Sequence, residues 1–163
     1  MTEYITSMRK LVGNAPLIQC GASVILINEK GEILLQKRRD NGCWGFHGGS
    51  VEINEVVEEA AARELFEETG LIANNLELFK VFSGPELYYV YPNGDEVSNI
   101  DIVYICRDYS GNLHANSAEV ENLAFFALDK IPDNISPPQR KVMAEFLKFI
   151  KISHFADSLQ ASV

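Results

Sequence analysis

The sequence predicts an α/β (α+β) chain in which a mixed β-sheet is flanked by helices. Three observations predict it. Runs rich in Val and Ile are interleaved with stretches of helical period, one Asn-Gly pair marks a hairpin, and two amphipathic stretches carry helix start or stop signals. With 163 residues, 47% hydrophobic and 23% charged, the chain has ordinary globular composition and the length of one domain with appendages. The expected division is an N-terminal helix and extension over 1–16, the domain proper over 17–152 and a polar, loosely held tail over 153–163.

Tyr4, Ile5, Met8, Leu11 and Val12 form one apolar stripe on a short helix, ended by Gly13 and Pro16. Leu17 to Ile27 predicts a strand, Asn28-Glu29-Lys30-Gly31 a turn, and Glu32 to Arg38 the return strand. Residues 39–50 hold Gly42, Gly45, Gly48 and Gly49 and predict a loop. A helix is expected from about Glu55 to Thr69, with Val57, Ala61 and Leu65 facing the core and Gly70 as its C′ residue. Leu76 to Ser83 predicts a strand. Leu87–Tyr91 and Val97–Cys106 predict a hairpin around Pro92-Asn93-Gly94-Asp95. Leu123 to Leu128 predicts a last strand. Ser136-Pro137-Pro138-Gln139 has the form of an N-cap, proline at N1 and a capping-box Gln, opening a helix to about Ile150.

The formal net charge is −9, which argues against a generic nucleic-acid or anionic-membrane surface. No apolar run approaches the roughly 20 residues of a membrane helix, and the N-terminus MTEYITSMRK has no apolar secretory core. Cys20, Cys43 and Cys106 are odd in number and widely spaced, so no disulfide framework or zinc site is predicted. The expected location is a reducing cytoplasm.

The negative charge is concentrated. Between Ser50 and Gly70 stand seven glutamates against Arg63 alone. Glu64, Glu67 and Glu68 sit at i, i+3 and i+4 on one helix face, where like charges destabilise by roughly 0.2–0.5 kcal/mol per pair. They also lie toward the helix C-terminus, where the dipole disfavours anions. Taken alone, such a face is ordinarily solvated. A divalent cation would hold it together, and clustered carboxylates suit Mg²⁺, with Mn²⁺ as the alternative.

The stretch reads Gly49-x5-Glu55-x7-Arg63-Glu64-Leu65-x-Glu67-Glu68-x-Gly70-Leu71. It resembles the Nudix box, the defining motif of the Nudix hydrolases, at all nine specified positions. Val24 to Arg38 is similar to the family's strand-turn-strand. Trp44-x-x-His47-Gly48-Gly49 is similar to its Trp-x-x-Pro-Gly-Gly lead-in, and Phe125-Phe126-x-Leu128-Asp129 to its late strand. The resemblance spans about residues 17 to 150. It departs at His47, where the family usually carries proline.

The resemblance implies a Nudix-like α/β/α sandwich and hydrolysis of a nucleoside diphosphate linked to another moiety, a small nucleotide or nucleotide-sugar type of substrate. Metal charge would neutralise the diphosphate oxygens and lower the pKa of bound water. By motif position, Glu64, Glu67, Glu68 and the Gly48 carbonyl are the expected metal ligands. Arg63 is expected to orient the carboxylates, and Glu55 to organise the loop. The general base is expected within the box or in the later loop, where Glu119 is preferred over Glu121. Arg38 and Arg39 are candidate phosphate contacts. His47, Phe46 and Tyr89 are candidate substrate contacts, with Trp44, Phe82, Tyr88 and Tyr91 as further aromatics able to stack on a base. A homodimer follows only from family habit. Two alternatives stand beside this reading: a nucleotide sensor without turnover, and an RNA 5′-end pyrophosphohydrolase.

Overall fold

The fold is built on two long parallel strands. The computed structural model describes residues 3–115 and 118–160. The first helix, α1, spans Glu3–Val12, followed by β1 (Leu17–Leu26) and β2 (Ile33–Arg38). β3 (Trp44–Gly45) and β4 (His47–Ser50) precede α2 (Val57–Thr69). Then come β5 (Leu71–Ala73), β6 (Glu77–Phe82), β7 (Tyr88–Val90), β8 (Glu96–Cys106), β9 (Tyr109–Gly111) and β10 (Val120–Phe126). The last helix, α3, spans Arg140–Gln160. No helix among the described residues is long and apolar enough to cross a membrane.

The main sheet is mixed and runs β4-β1-β8-β6, with β7 also on β8. β1 and β8 pair in parallel from Leu17↔Val97 to Leu26↔Cys106. β4 and β6 flank them antiparallel. A second sheet runs β10-β2-β3, and β5 pairs with β9. The predicted hairpin forms between β7 and β8, its turn closed by Gly94 N–H to the Tyr91 carbonyl at 2.8 Å.

Parallel strands buried on both faces read as near-continuous apolar runs, and the cores divide by residue parity. Ala22, Val24, Leu26, Tyr104 and Cys106 pack with Ala60, Ala61 and Leu65 of α2. Ile25, Ile27, Val103 and Ile105 pack with Val142, Met143 and Phe146 of α3. The sheet is therefore covered by one helix on each face.

Four expectations are corrected. Residues 44–50 form two short strands inside the expected loop, because β4 borrows its hydrogen bonds from the edge of β1. α2 starts at Val57, and Val56 makes no side-chain cap. Pro137–Gln139 is a 3₁₀ turn in which Ser136 makes no side-chain cap. Gln139 turns instead to β3–β4, accepting the Phe46 N–H at 2.6 Å. The helix that follows runs ten residues past Ile150, so Ser153–Gln160, expected as loose tail, is helical; 161–163 lie outside the described residues.

Candidate active site

The α2 stripe decides which glutamates point inward. Ala61 and Leu65 are fully buried, and Glu68 continues that face three residues on, only 6% exposed. Glu64 lies beside it, its side chain 12% exposed, whereas the Glu67 side chain is 54% exposed. Gly70 adopts φ 72° and ends the helix by donating to the Phe66 carbonyl at 2.8 Å, so the acids occupy its last turns.

Facing them is β4. The Gly48 N–H donates to Glu68 Oε2 at 3.1 Å. A Cβ on Gly49 would lie 2.5 Å from the Glu64 carboxyl carbon. Glycine at 49 thus lets the strand approach the Glu64 carboxylate, while glycine at 48 lets it lie against Ala22 and Ser23 of β1.

Arg63 ties the motif together. It donates to Glu55 through Nε at 2.7 Å and Nη2 at 3.0 Å, to Glu64 through Nη1 at 2.7 Å, and to the Ser50 carbonyl at 3.2 Å. Glu67 is a longer partner at 3.5 Å. Glu55 in turn accepts the Glu52 N–H at 2.9 Å, fixing the loop before the helix. The Arg63 hydrogen bonds hold the Glu55 carboxyl below its usual range. Burial pushes Glu64 the other way, against the Arg63 hydrogen bond and helped by the charges of Glu68 and Glu67.

Glu64, Glu68, Gly48 and Gly49 line a cavity of about 540 Å³ together with Arg38, Arg39 and Glu119. The lining also includes Tyr91, Asn93 and Asp95 of the hairpin turn and Ile5 and Arg9 of α1. Arg38 forms a two-pronged pair with Asp40, both distances 2.9 Å. Burial disfavours the Arg38 charge, but Asp40 more than compensates and its pKa rises. Arg39 donates to the Val120 carbonyl at 3.1 Å, and its N–H to the Glu119 carbonyl at 2.9 Å.

The structure therefore brings together Glu64, Glu68, Gly48, Arg38, Arg39 and Glu119. Glu67 is turned toward Arg63 and is not among the residues lining the cavity. Glu121 is engaged outside the cavity with Lys37 at 2.9 Å. Tyr89 accepts from Asn41 at 3.4 Å and lines an adjoining smaller cavity. Two expected substrate contacts are corrected. Phe46 is 1% exposed and packs in the α3-side core, because it links β3 to β4 with its N–H held by Gln139. His47 is fully buried, its Nδ1 3.4 Å from Glu68 Oε2. Phe82 is likewise a core residue. Asp101, buried in β8, escaped sequence reasoning; an Asp inside an Ile-Val run, against strand preference, was the available signal.

Among the described residues, no three acidic, histidine or cysteine side chains already surround one point as a cation cage. The donor chemistry nevertheless fits a hard cation. Two buried carboxylates and a glycine backbone share one cavity, and their mutual repulsion is what a divalent ion relieves.

The NUDIX domain family profile matches residues 18–146. The ADP-ribose pyrophosphatase of Methanocaldococcus jannaschii is 35% identical over 127 residues, covering 76% of this chain and 70% of that protein. A candidate 8-oxo-dGTP diphosphatase of Bacillus subtilis is 46% identical over 126 residues, covering 77% and 78%. Among solved structures, the MutT NUDIX hydrolase from Burkholderia pseudomallei superposes with a TM-score of 0.67 at 30% identity, covering 78% of this chain and 97% of that one.

Proposed function

This chain belongs to the NUDIX family and is a pyrophosphohydrolase, and on that premise we propose that it cleaves, with Mg²⁺, the diphosphate bond of a nucleoside diphosphate linked to another moiety. The observation that carries the reading is one cavity lined by both signs of charge. Glu64 and Glu68 share it with Arg38, Arg39 and the Gly48–Gly49 backbone. A volume of about 540 Å³ is that of a small-molecule site.

In this reading Glu64, Glu67, Glu68 and the Gly48 carbonyl hold the cation. When bound, it supplies charge neutralisation on the diphosphate and a lowered pKa for water. Mn²⁺ has the same ligand preference and is the expected substitute. Arg63 keeps Glu64 and Glu55 in place. Arg38 and Arg39 grip phosphate oxygens, Arg38 as a planar fork already fixed by Asp40. Glu119, which lines the same cavity, serves as general base, whereas Glu121 lies outside it. Tyr89 contacts the non-phosphate part from the adjoining cavity. The catalytic domain is taken as 17–152, with α1 and the end of α3 as appendages, acting in the cytoplasm and pairing as a homodimer.

The test is a panel of ADP-ribose, 8-oxo-dGTP, nucleotide sugars and triphosphorylated RNA, incubated with Mg²⁺ and followed by product identification. The reading expects turnover of a small diphosphate compound. It also expects a loss of at least ~10²-fold in kcat for Glu68→Gln with the fold intact. Tight binding across the panel with no product would make the chain a sensor, and cleavage of RNA ends alone would make it a decapping enzyme.

A further inference from the structure

One face of the two central strands changes character half way along. On β1, Gln19, Gly21 and Ser23 precede Ile25 and Ile27; on β8, Asn99 and Asp101 precede Val103 and Ile105. The parallel register sets Gln19 beside Asn99 and Gly21 beside Asp101. The apolar half is covered by α3 and belongs to the core. The polar half floors a second cavity of about 90 Å³. That cavity shares Gln19, Arg38, Gly48, Gly49 and Tyr91 with the catalytic one.

Asp101 is the anomaly on this floor. A carboxylate in the middle of a central strand works against both strand preference and burial. It is 9% exposed, and burial lifts its pKa to about 6. Ser23 Oγ donates to its Oδ1 at 2.8 Å, which uses one of roughly four acceptor positions on the group. Gly21, its partner in register, leaves the approach open, since a Cβ there would stand 3.8 Å from Oδ1. Leu87, Tyr89 and Pro138 add apolar lining to the same cavity. A polar floor, apolar lining and a connection to the phosphate-facing cavity suit a heteroaromatic ring attached to a diphosphate.

Resting on the reading of the substrate as a nucleoside diphosphate derivative, we propose that Asp101 is a specificity-determining residue that accepts hydrogen bonds from a base edge with two adjacent N–H donors, as guanine presents. Adenine offers a ring nitrogen acceptor at the equivalent place. That lone pair would face the carboxylate with no proton between them, and a buried unpaired acceptor is rejected strongly.

Binding is measured calorimetrically with GDP, IDP and ADP in the presence of a chelator, so that the base subsite is read without turnover. The wild-type chain is expected to bind GDP at least tenfold tighter than ADP. IDP, which lacks the 2-amino donor, is expected between them. Asp101→Asn and Asp101→Ser are expected to lose at least tenfold for GDP, less for IDP and nothing for ADP. Equal binding of the three nucleotides by the wild type overturns the proposal, as does an equal loss for GDP and ADP in the variants. The wild-type series decides the matter even where a variant fails to fold. If diphosphate compounds are hydrolysed but the bases bind alike, the Asp101 assignment alone is wrong. If nothing in the Mg²⁺ panel is cleaved, the catalytic reading fails whatever the binding series shows.

Discussion

The Nδ1 atom of His47 lies 3.4 Å from Oε2 of Glu68, the same oxygen that accepts the Gly48 N–H at 3.1 Å. The imidazole is fully buried, and neither ring nitrogen has a hydrogen-bond partner. The side chain at the family's proline position therefore stands against a candidate metal ligand without a formed hydrogen bond, close enough for a small shift of the carboxylate to make one.

His47→Ala is accordingly expected to raise the Mg²⁺ concentration for half-maximal activity about tenfold. His47→Gln, which keeps an N–H donor, should recover part of that loss. Activity measured against Mg²⁺, with thermal melting of each variant as the control, checks it. An unchanged Mg²⁺ requirement in His47→Ala would leave the histidine as packing only.

The two glycines of β4 are predicted to fail in different ways. At Gly48, φ is +152° and a Cβ would meet the Ala22 carbonyl and stand 2.7 Å from the Ser23 Cα, so the backbone of β1 must move. Gly48→Ala should destabilise the fold by roughly 1–3 kcal/mol or more. At Gly49 the three atoms nearest an added Cβ all belong to the Glu64 carboxyl group, which can swing away. Gly49→Ala should keep most of its stability while losing activity at least ~10-fold. Urea melts alongside turnover separate the two.

Arg63 carries the electrostatic organisation of the box. Arg63→Ala is expected to lower kcat at least ~10-fold with a smaller effect on KM, because Glu64 and Glu55 both lose their partner. Arg63→Lys should not restore it, since one ammonium cannot reproduce two prongs on Glu55 and a third on Glu64. Rescue to near wild-type by lysine would show that charge alone is needed there.

Asp101 makes stability depend on pH. Its folded pKa is about 6 against 3.8 for the free group, so the folded state holds the proton more tightly. Stability then falls as pH rises from about 4 to about 6, and the penalty is complete above that. Asp101→Asn removes it, so the variant should gain on the wild type by on the order of 3 kcal/mol between pH 4 and pH 7. Denaturant melts across that range check the sign; a constant difference would contradict it.

What the sequence revealed follows from periodicity. The stripe of Val57, Ala61 and Leu65 set the face of α2, and the spacing of Glu64, Glu67 and Glu68 marked the acidic turn. Side-chain direction within the glycine-rich stretch was hidden, because strands of two and four residues show no period. Phe46 and His47 thus read as loop residues open to substrate, when the pairing of β3 with β2 and of β4 with β1 holds that stretch against the core. The partnership of β1 with β8 was equally invisible, as it joins residues some eighty positions apart. Only that pairing converts Gln19, Ser23, Asn99 and Asp101 from scattered polar residues into one floor.

On the proposed function, Glu64, Glu67, Glu68 and the Gly48 carbonyl together hold a divalent ion in the cavity that Arg38 and Arg39 share. A crystal structure grown with Mg²⁺ and a non-hydrolysable diphosphate compound tests this. The expected result is a cation with oxygen ligands at about 2.0–2.1 Å drawn from those residues and the diphosphate, with Glu67 swung in from Arg63. A diphosphate bound elsewhere, with the three carboxylates facing water, would contradict it.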